Sequence, residues 1–398
     1  MNVMLGEGEE ARLRSLDWGG REPDLVNTST IVAVTLPGGQ QVRRLARRDD
    51  GACVYLGSDS GCRIHRDFGG DAKPAVCRSY PFGFYPVAGQ VAVDCSFSCR
   101  SIAQDSGEPL KERIPEWTKL VNIGAADREK THHLKRSKPI SGPLLLEIET
   151  TLLGFLADQS MHLFDRVRCC LQFNRLATTG DPTTASAAML REAMARGLPK
   201  QIGKIPRGEG MDKTQRAIFY QWLFLALNPL PVNADLLSGQ ERRRLEEQRM
   251  EAARRFMSLE GNPWVNNREM TATFKQIAAV DASFVTSADS PMLERYLAAK
   301  VTGQRFLIAA DEELPLVEAV PLFLLTYPMA IWTSRALASD RGSDTVNEED
   351  LRRALSLLDR TLGQVPLGAL PNKISKVFHF VVEETDLVVA ATSELDAD

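Results

Sequence analysis

Residues 51–100 read GACVYLGSDSGCRIHRDFGGDAKPAVCRSYPFGFYPVAGQVAVDCSFSCR, and five of the seven cysteines in the chain fall within them. Their spacing is Cys53-x8-Cys62-x14-Cys77-x17-Cys95-x3-Cys99, each in or beside a stretch rich in Gly, Pro, Ser and Asp. Around them the apolar runs are short and period-two in character, which predicts strands at 30–36, 53–56 and 90–97. Pro37-Gly38-Gly39 and Ala88-Gly89 supply turns, and one early helix is expected over 8–16. A small, irregular, cysteine-rich α+β domain over residues 1–110 follows from this pattern.

Downstream the periodicity changes. Apolar residues at three- and four-residue spacing predict helices at 144–156 and 163–176. Further helices are expected at 185–196 before Gly197, at 214–227 before Asn228-Pro229, at 239–257 and at 268–279, with two or three more beyond 290. Thr345-Val346-Asn347-Glu348 has the spacing of a capping box ahead of a helix over 351–362, with Gly363 as its stop. The charged stretch 111–139, with Lys130, Lys135, Arg136 and Lys138, reads as a linker. The expected fold is therefore α+β: a cysteine-rich α+β domain, a linker, and a mostly α-helical domain over 140–398.

The chain has 398 residues and a formal net charge of −4, so no global field points to nucleic acid or to an anionic membrane surface as a partner. The start, Met1-Asn2-Val3-Met4-Leu5-Gly6-Glu7, lacks the basic and apolar regions of a secretory signal, which makes the cytoplasm the expected compartment. The longest apolar run, 319–332, carries Pro321 and Pro328 and continues into Thr333, Ser334 and Arg335, so a buried helix is expected rather than a membrane span.

An odd number of cysteines in a reducing compartment argues against a disulfide framework and leaves metal ligation or core packing. Clustering decides for the metal. Thiolates bond soft and borderline metals, and four of them complete a zinc tetrahedron or hold one iron–sulfur cube. Cys53, Cys62, Cys77, Cys95 and Cys99 are thus the candidate ligands; of Cys95 and Cys99, either both ligate or one is spare. Cys169-Cys170, inside the expected helix 163–176, reads as core packing. His65, three residues after Cys62, is a ligand, a partner of one, or surface filler. Arg43, Arg44, Arg47 and Arg48 form a basic patch that is either a solvated hairpin balanced by Asp49 and Asp50 or a counter-charge to a thiolate cluster. Arg63 and Arg78, directly beside ligand candidates, are better placed for the second role, and Tyr80-Pro81-Phe82 is expected to shield the site.

The same region resembles a known family. Gly51-Ala52-Cys53-Val54-Tyr55-Leu56, then Gly61-Cys62-Arg63-Ile64-His65, then Pro74-Ala75-Val76-Cys77-Arg78-Ser79-Tyr80-Pro81, and later Ser98-Cys99, are similar to the YkgJ-type zinc/iron-chelating cysteine-cluster proteins, which include flagellin lysine-N-methylases. On this resemblance Cys53, Cys62, Cys77 and Cys99 are the transferable ligands and Cys95 is an addition. The family opens with a Cys-x-x-Cys followed by a Cys-Cys pair, which this sequence lacks. Its next features are matched at once by residues 3–10 and by Leu16-Asp17-Trp18, so the expectation is a start codon placed too late or a truncated gene.

The resemblance implies an iron–sulfur cluster or zinc as cofactor. In its methylase members it implies methyl transfer from S-adenosylmethionine to a lysine of a flagellin-like protein substrate. The residues themselves do not display a donor site. Gly38-Gly39 and Gly69-Gly70 lack the strand–turn–helix context of a nucleotide-binding turn, and Cys95-x3-Cys99 is followed by Ile102, not by the third cysteine of a radical-enzyme motif. Three readings stand at this point: a metal- or cluster-binding protein, a protein-lysine N-methyltransferase using that cluster, and a helical interaction protein stapled by zinc.

Overall fold

The computed structural model describes residues 3–18, 22–26, 29–35, 41–59, 61–115, 117–118, 121, 133–135, 138–177, 183, 186–192, 210–229, 237–286, 291–304, 315–362 and 387–396. Two units make up the chain: Met1–Tyr80 with Glu108–Ala126 and Leu230–Gln248, and Pro81–Gly107 with Asp127–Pro229 and Arg249–Asp398.

The first unit is built on an antiparallel hairpin, Ile31–Thr35 against Gln41–Leu45, with Ile31 opposite Leu45. The N-terminal segment runs alongside it, the Leu45 amide donating to Val3 O at 3.0 Å and the Leu5 amide to Arg43 O at 2.9 Å. A short helix, Glu9–Arg14, starts after Gly8, whose φ of 75° favours glycine. Leu13, Trp18, Ile31, Leu45, Tyr55 and Ile64 form the small core, in which Trp18 stacks on Tyr55 and meets Phe68 edge-on. Residues 53–56 do not form the expected strand. They turn between single bridges, Arg47 with Cys53 and Leu56 with Cys62, and the Leu56 amide closes back on Cys53 O. Bridges at the two ends of the turn alone make no ladder. The strand Gln41–Leu45 carries Arg43 and Arg44, where the sequence offered a hairpin as one reading.

The second unit begins with the hairpin Phe82–Val87 and Gln90–Cys95, turned at Ala88 and Gly89 with φ of 53° and 73°. Two consecutive positive φ values are what a two-residue hairpin requires. The boundary expected near residue 110 therefore falls at 80/81. Its physical reason is burial, because Val87, Cys95, Phe97 and Ala103 belong to the same core as the downstream helices. Of the expected linker, the described parts include a 3-10 turn, Leu110–Arg113, and a hairpin, His133–Lys135 with Lys138–Pro139; Lys130 and Arg136 lie outside the described residues.

The helical expectation holds with shifted ends. Gly142–Leu156 is capped by Ser141, Leu163–Ala177 follows, and Lys213–Leu227 opens on a capping box of Asp212 and Gln215. Of the helix expected over 185–196, residues 186–192 are helical and Gly197 lies outside the described residues, as do Gly363 and the turn at 37–39. Gly239–Ser258 is a single helix. The helix expected over 268–279 is shorter, Phe274–Ala278, and starts at a capping box of Thr273 and Gln276. Before it, Asn266 and Asn267, with φ of 55° and 59°, turn a small hairpin of Trp264–Val265 and Arg268–Glu269. Beyond 290 there are five described helices where two or three were expected: Pro291–Thr302, Leu316–Leu324, Thr326–Asp340, Glu348–Leu362 and Leu387–Asp396. Asn347 caps Glu348–Leu362 in place of Thr345, in a reciprocal pair in which the Asp350 amide donates to Asn347 and the Asn347 amide to Asp350.

The apolar run 319–332 lies in the core, as expected. The stretch Leu316–Asp340 is long and apolar enough to cross a membrane, but 83% of its most apolar window is buried inside the protein. Trp332 sits there with Phe256 and Phe274 at ring distances of 5.6 and 6.0 Å, and Phe224 meets Phe256 at 5.5 Å. Phe256 is fully buried and stands at the centre of this cluster. Phe256→Ala should lower unfolding free energy in urea by about 3–5 kcal/mol, whereas Met257→Ala, at an exposed neighbouring position, should shift it by less than about 0.5 kcal/mol.

Candidate functional site

Three of the five clustered cysteines belong to the first unit. Cys53 sits at its bridge to Arg47. Cys62 is the N-cap of the helix Arg63–Phe68, in extended backbone, and its side chain makes no capping bond. Cys77 lies in the short helix Ala75–Ser79, which the helix Glu9–Arg14 holds from the other side: Glu9 accepts from the Ala75 amide at 2.7 Å and Arg12 donates to Lys73 O at 3.0 Å. All three cysteines are unbridged and half-buried, and all pack on the same small core around Ile64 and Tyr55.

The thiols also act on one another electrostatically. Burial pushes the Cys53 thiol up, a Tyr55 N–H opposes this, and charge on Cys62 adds to it while Arg47 and Arg48 oppose it. Cys77 is pushed up to about 12, first by burial and then by Cys53, with Lys73 opposing and Cys62 and Glu9 adding. Metal-free, the Cys53 and Cys77 thiols are neutral at physiological pH. Among the described residues no group of three or more Cys, His, Asp or Glu is already placed to hold a metal ion. The donor chemistry therefore fits a thiophilic metal, while ligation requires the side chains to close on it.

Cys95 and Cys99 belong to the second unit. Cys95 ends the strand Gln90–Cys95 opposite Phe82, and Cys99 is the N-cap of the short helix Arg100–Ala103, again without a capping bond from its side chain. Burial pushes Cys95 up to about 12; Lys300 opposes this, while Asp94, Asp359 and Cys99 add to it. The five candidates thus divide into three and two. Cys169 and Cys170 are fully buried in Leu163–Ala177, the Cys170 thiol directed at Leu152 O, which is core packing.

The flanking charges are mostly spent on structure. Arg63 pairs with Asp24 at 2.7 Å and Glu22 at 3.2 Å, and Arg78 reaches Asp71 at 3.9 Å. Arg44 is buried within the hairpin, Arg43 pairs with Glu10, and Arg48 binds Leu56 O and Asp50. Arg47 donates to Gly51 O and so closes the loop that presents Cys53. His65 is exposed, with its ring against Gly70, and Tyr80 is exposed as well.

One polar cluster was not anticipated. Lys300, 2% exposed, donates to Asp94 Oδ1 at 2.9 Å, to Asp359 Oδ1 at 2.6 Å and to Cys95 O at 2.7 Å. Asp359 also accepts from Ser96, whose hydroxyl lies 2.8 Å from that of Ser98. Gly303 sits where a Cβ would stand 2.7 Å from the Asp94 backbone, so glycine permits the approach. In sequence Lys300 stands 206 positions after Asp94 and well before Asp359, and a lone lysine in an amphipathic helix carries no mark of burial.

Comparison with models of protein families, with curated proteins and with solved structures finds no match.

Burial alone would lower the Lys300 ammonium, but Asp359 and Asp94 outweigh it and hold it above its ordinary value of 10.5. With Asp94 and Asp359 ionised, the contribution of the Lys300 ammonium is therefore complete below 10.5 and lost as pH rises through the raised value. Lys300→Met, which strands two buried carboxylates, should cost about 3–5 kcal/mol in urea unfolding at neutral pH. Adding Asp94→Asn and Asp359→Asn should recover part of that loss.

Proposed function

We propose that this chain is a cysteine-cluster protein that binds zinc or an iron–sulfur cluster, with Cys53, Cys62 and Cys77 as its first ligands and Cys95 and Cys99 as the further candidates. One observation carries the reading: three free, half-buried thiols pack on one small core, close enough for Cys62 to act on Cys53 and for both to act on Cys77. Neutral thiols in that setting would release their protons to water as a metal cation binds, because the cation supplies the positive charge that burial otherwise withholds. Arg47 and Arg48, on the Cys53 side, offset the negative charge that several thiolates would leave. The Tyr55 N–H directed at Cys53 is the kind of hydrogen bond that tunes a ligating sulfur.

The motif residues around Cys53, Cys62, Cys77 and Cys99 support placing the chain beside the YkgJ-type proteins, and free thiols suit the reducing cytoplasm. The metal would serve as a redox, maturation or structural centre. Methyl transfer to protein lysine rests on the resemblance alone.

The test is metal and sulfide analysis of full-length protein purified anaerobically, with visible absorption to separate coloured iron–sulfur from colourless zinc. Cys53→Ser, Cys62→Ser and Cys77→Ser should each weaken binding of the metal by about tenfold or more, while Cys169→Ala leaves it unchanged. Protein that holds no metal, and takes none up on reconstitution with iron and sulfide or with zinc, would overturn the reading.

A further inference from the structure

The second unit contains a cleft of about 640 Å³ that the cysteine reading does not use. Its volume is within the range of small-molecule sites. One wall is a single face of the helix Glu348–Leu362, on which Glu349, Arg352, Arg353, Ser356 and Arg360 recur at three- and four-residue spacing. Facing them is the small hairpin of Trp264–Val265 and Arg268–Glu269, which contributes Arg268. Four guanidinium groups and one carboxylate thus line the same space.

Two of those arginines are already matched. Arg352 forms a forked pair with Glu349, and Arg268 pairs with Asp340 at 2.9 Å. Arg353 and Arg360 are exposed and form no ion pair among the described residues, although Arg353 lies near enough to Glu349, the partner of Arg352, to help lower its carboxyl. They lie seven residues apart on one helix face, about 10 Å along the axis, close enough for two long side chains to meet on one anion chain. The inner wall is different in kind, because Val265, Met270 and Leu337 are buried and apolar. The exposed lining is mostly polar, so a rim with surplus positive charge selects first a multiply charged anion, and the small apolar floor admits contact with one flat or apolar part.

We propose that this cleft binds a phosphorylated small molecule of nucleotide size, its phosphates on Arg353 and Arg360 and its apolar part against Met270 and Leu337. Guanidinium suits phosphate because its fork matches two oxygens at once and keeps its charge at any physiological pH. Hydroxyls of Ser98 and Ser356 and the amide of Asn266 supply neutral hydrogen-bonding groups around the same space. Nothing in the proposal depends on the metal centre.

The experiment is isothermal titration of full-length protein with ADP, inorganic pyrophosphate and adenosine, repeated with Arg353→Gln, Arg360→Gln and the double variant. Pyrophosphate is expected to bind, ADP to bind more tightly, and adenosine to bind least. Each single variant should weaken ADP by about tenfold or more, as expected for loss of a hydrogen bond from a charged donor. Both arginines are exposed, so unchanged thermal melting and unchanged metal content should accompany that loss. The proposal is overturned if neither ADP nor pyrophosphate binds at millimolar concentration, if the double variant binds ADP as wild type does, or if adenosine binds as tightly as ADP.

Discussion

A single ammonium group organises the second unit. Lys300 Nζ reaches carboxylates on the hairpin strand and on the helix Glu348–Leu362 and a carbonyl at Cys95, so three elements distant in sequence converge on one buried charge. Removing a charge from water is costly, and the site answers that cost with short hydrogen bonds to oxygen from three directions. Apolar packing around it tolerates shifts of register; a buried ion with defined partners does not. The hairpin's position relative to the two helices is therefore set by the ion cluster more sharply than by Val87 or Phe97, which need only volume.

That constraint has consequences at both ends. Asp94 and the Cys95 carbonyl are fixed by Lys300, so the strand end that leads to Cys99 is fixed with them. Asp359 is fixed as well, and it lies on the helix whose other face carries Arg353 and Arg360. Ser96 and Ser98 join the two through a short chain of hydroxyl contacts. The turn bearing Cys99 and the wall of the arginine-lined cleft are thus held to one frame. In the first unit the described ties around the cysteines lie nearer the surface. Its cysteine loops are tied by backbone bonds, by Arg47 and Arg48, and by Glu9 and Arg12 reaching across to the Cys77 segment. Polar ties at a half-exposed surface leave side chains freer to close on an ion than a packed interior would.

Much of the fold was legible because its signals are local. Apolar spacing located Gly142–Leu156, Leu163–Ala177 and Lys213–Leu227 to within a few residues, and Ala88-Gly89 announced its hairpin. The misses have separate physical causes. Residues 53–56 have strand composition but pair only through single bridges at Cys53 and Leu56, so pairing, not propensity, decides their conformation. Asn266-Asn267 carries neither glycine nor proline, yet asparagine also tolerates the positive φ that this turn requires. The cap of Glu348–Leu362 stands two residues beyond the expected Thr345, because Thr345 and Asn347 both have capping side chains and the reciprocal bond with Asp350 settles between them.

The candidate site divides along the same line. Clustering of cysteines is visible in any sequence, and it named the thiols directly. What a string of letters cannot carry is which thiols share a core, and the boundary at 80/81 separates Cys53, Cys62 and Cys77 from Cys95 and Cys99. Nor does it mark the cleft. Arg352 and Arg353 look like the solvated face of an amphipathic helix, a pattern that charged helices share throughout proteins. Their significance arises from a hairpin nearly ninety residues earlier that places apolar Met270 and charged Arg268 opposite them, so the surplus of positive charge exists in space and not in the helix alone.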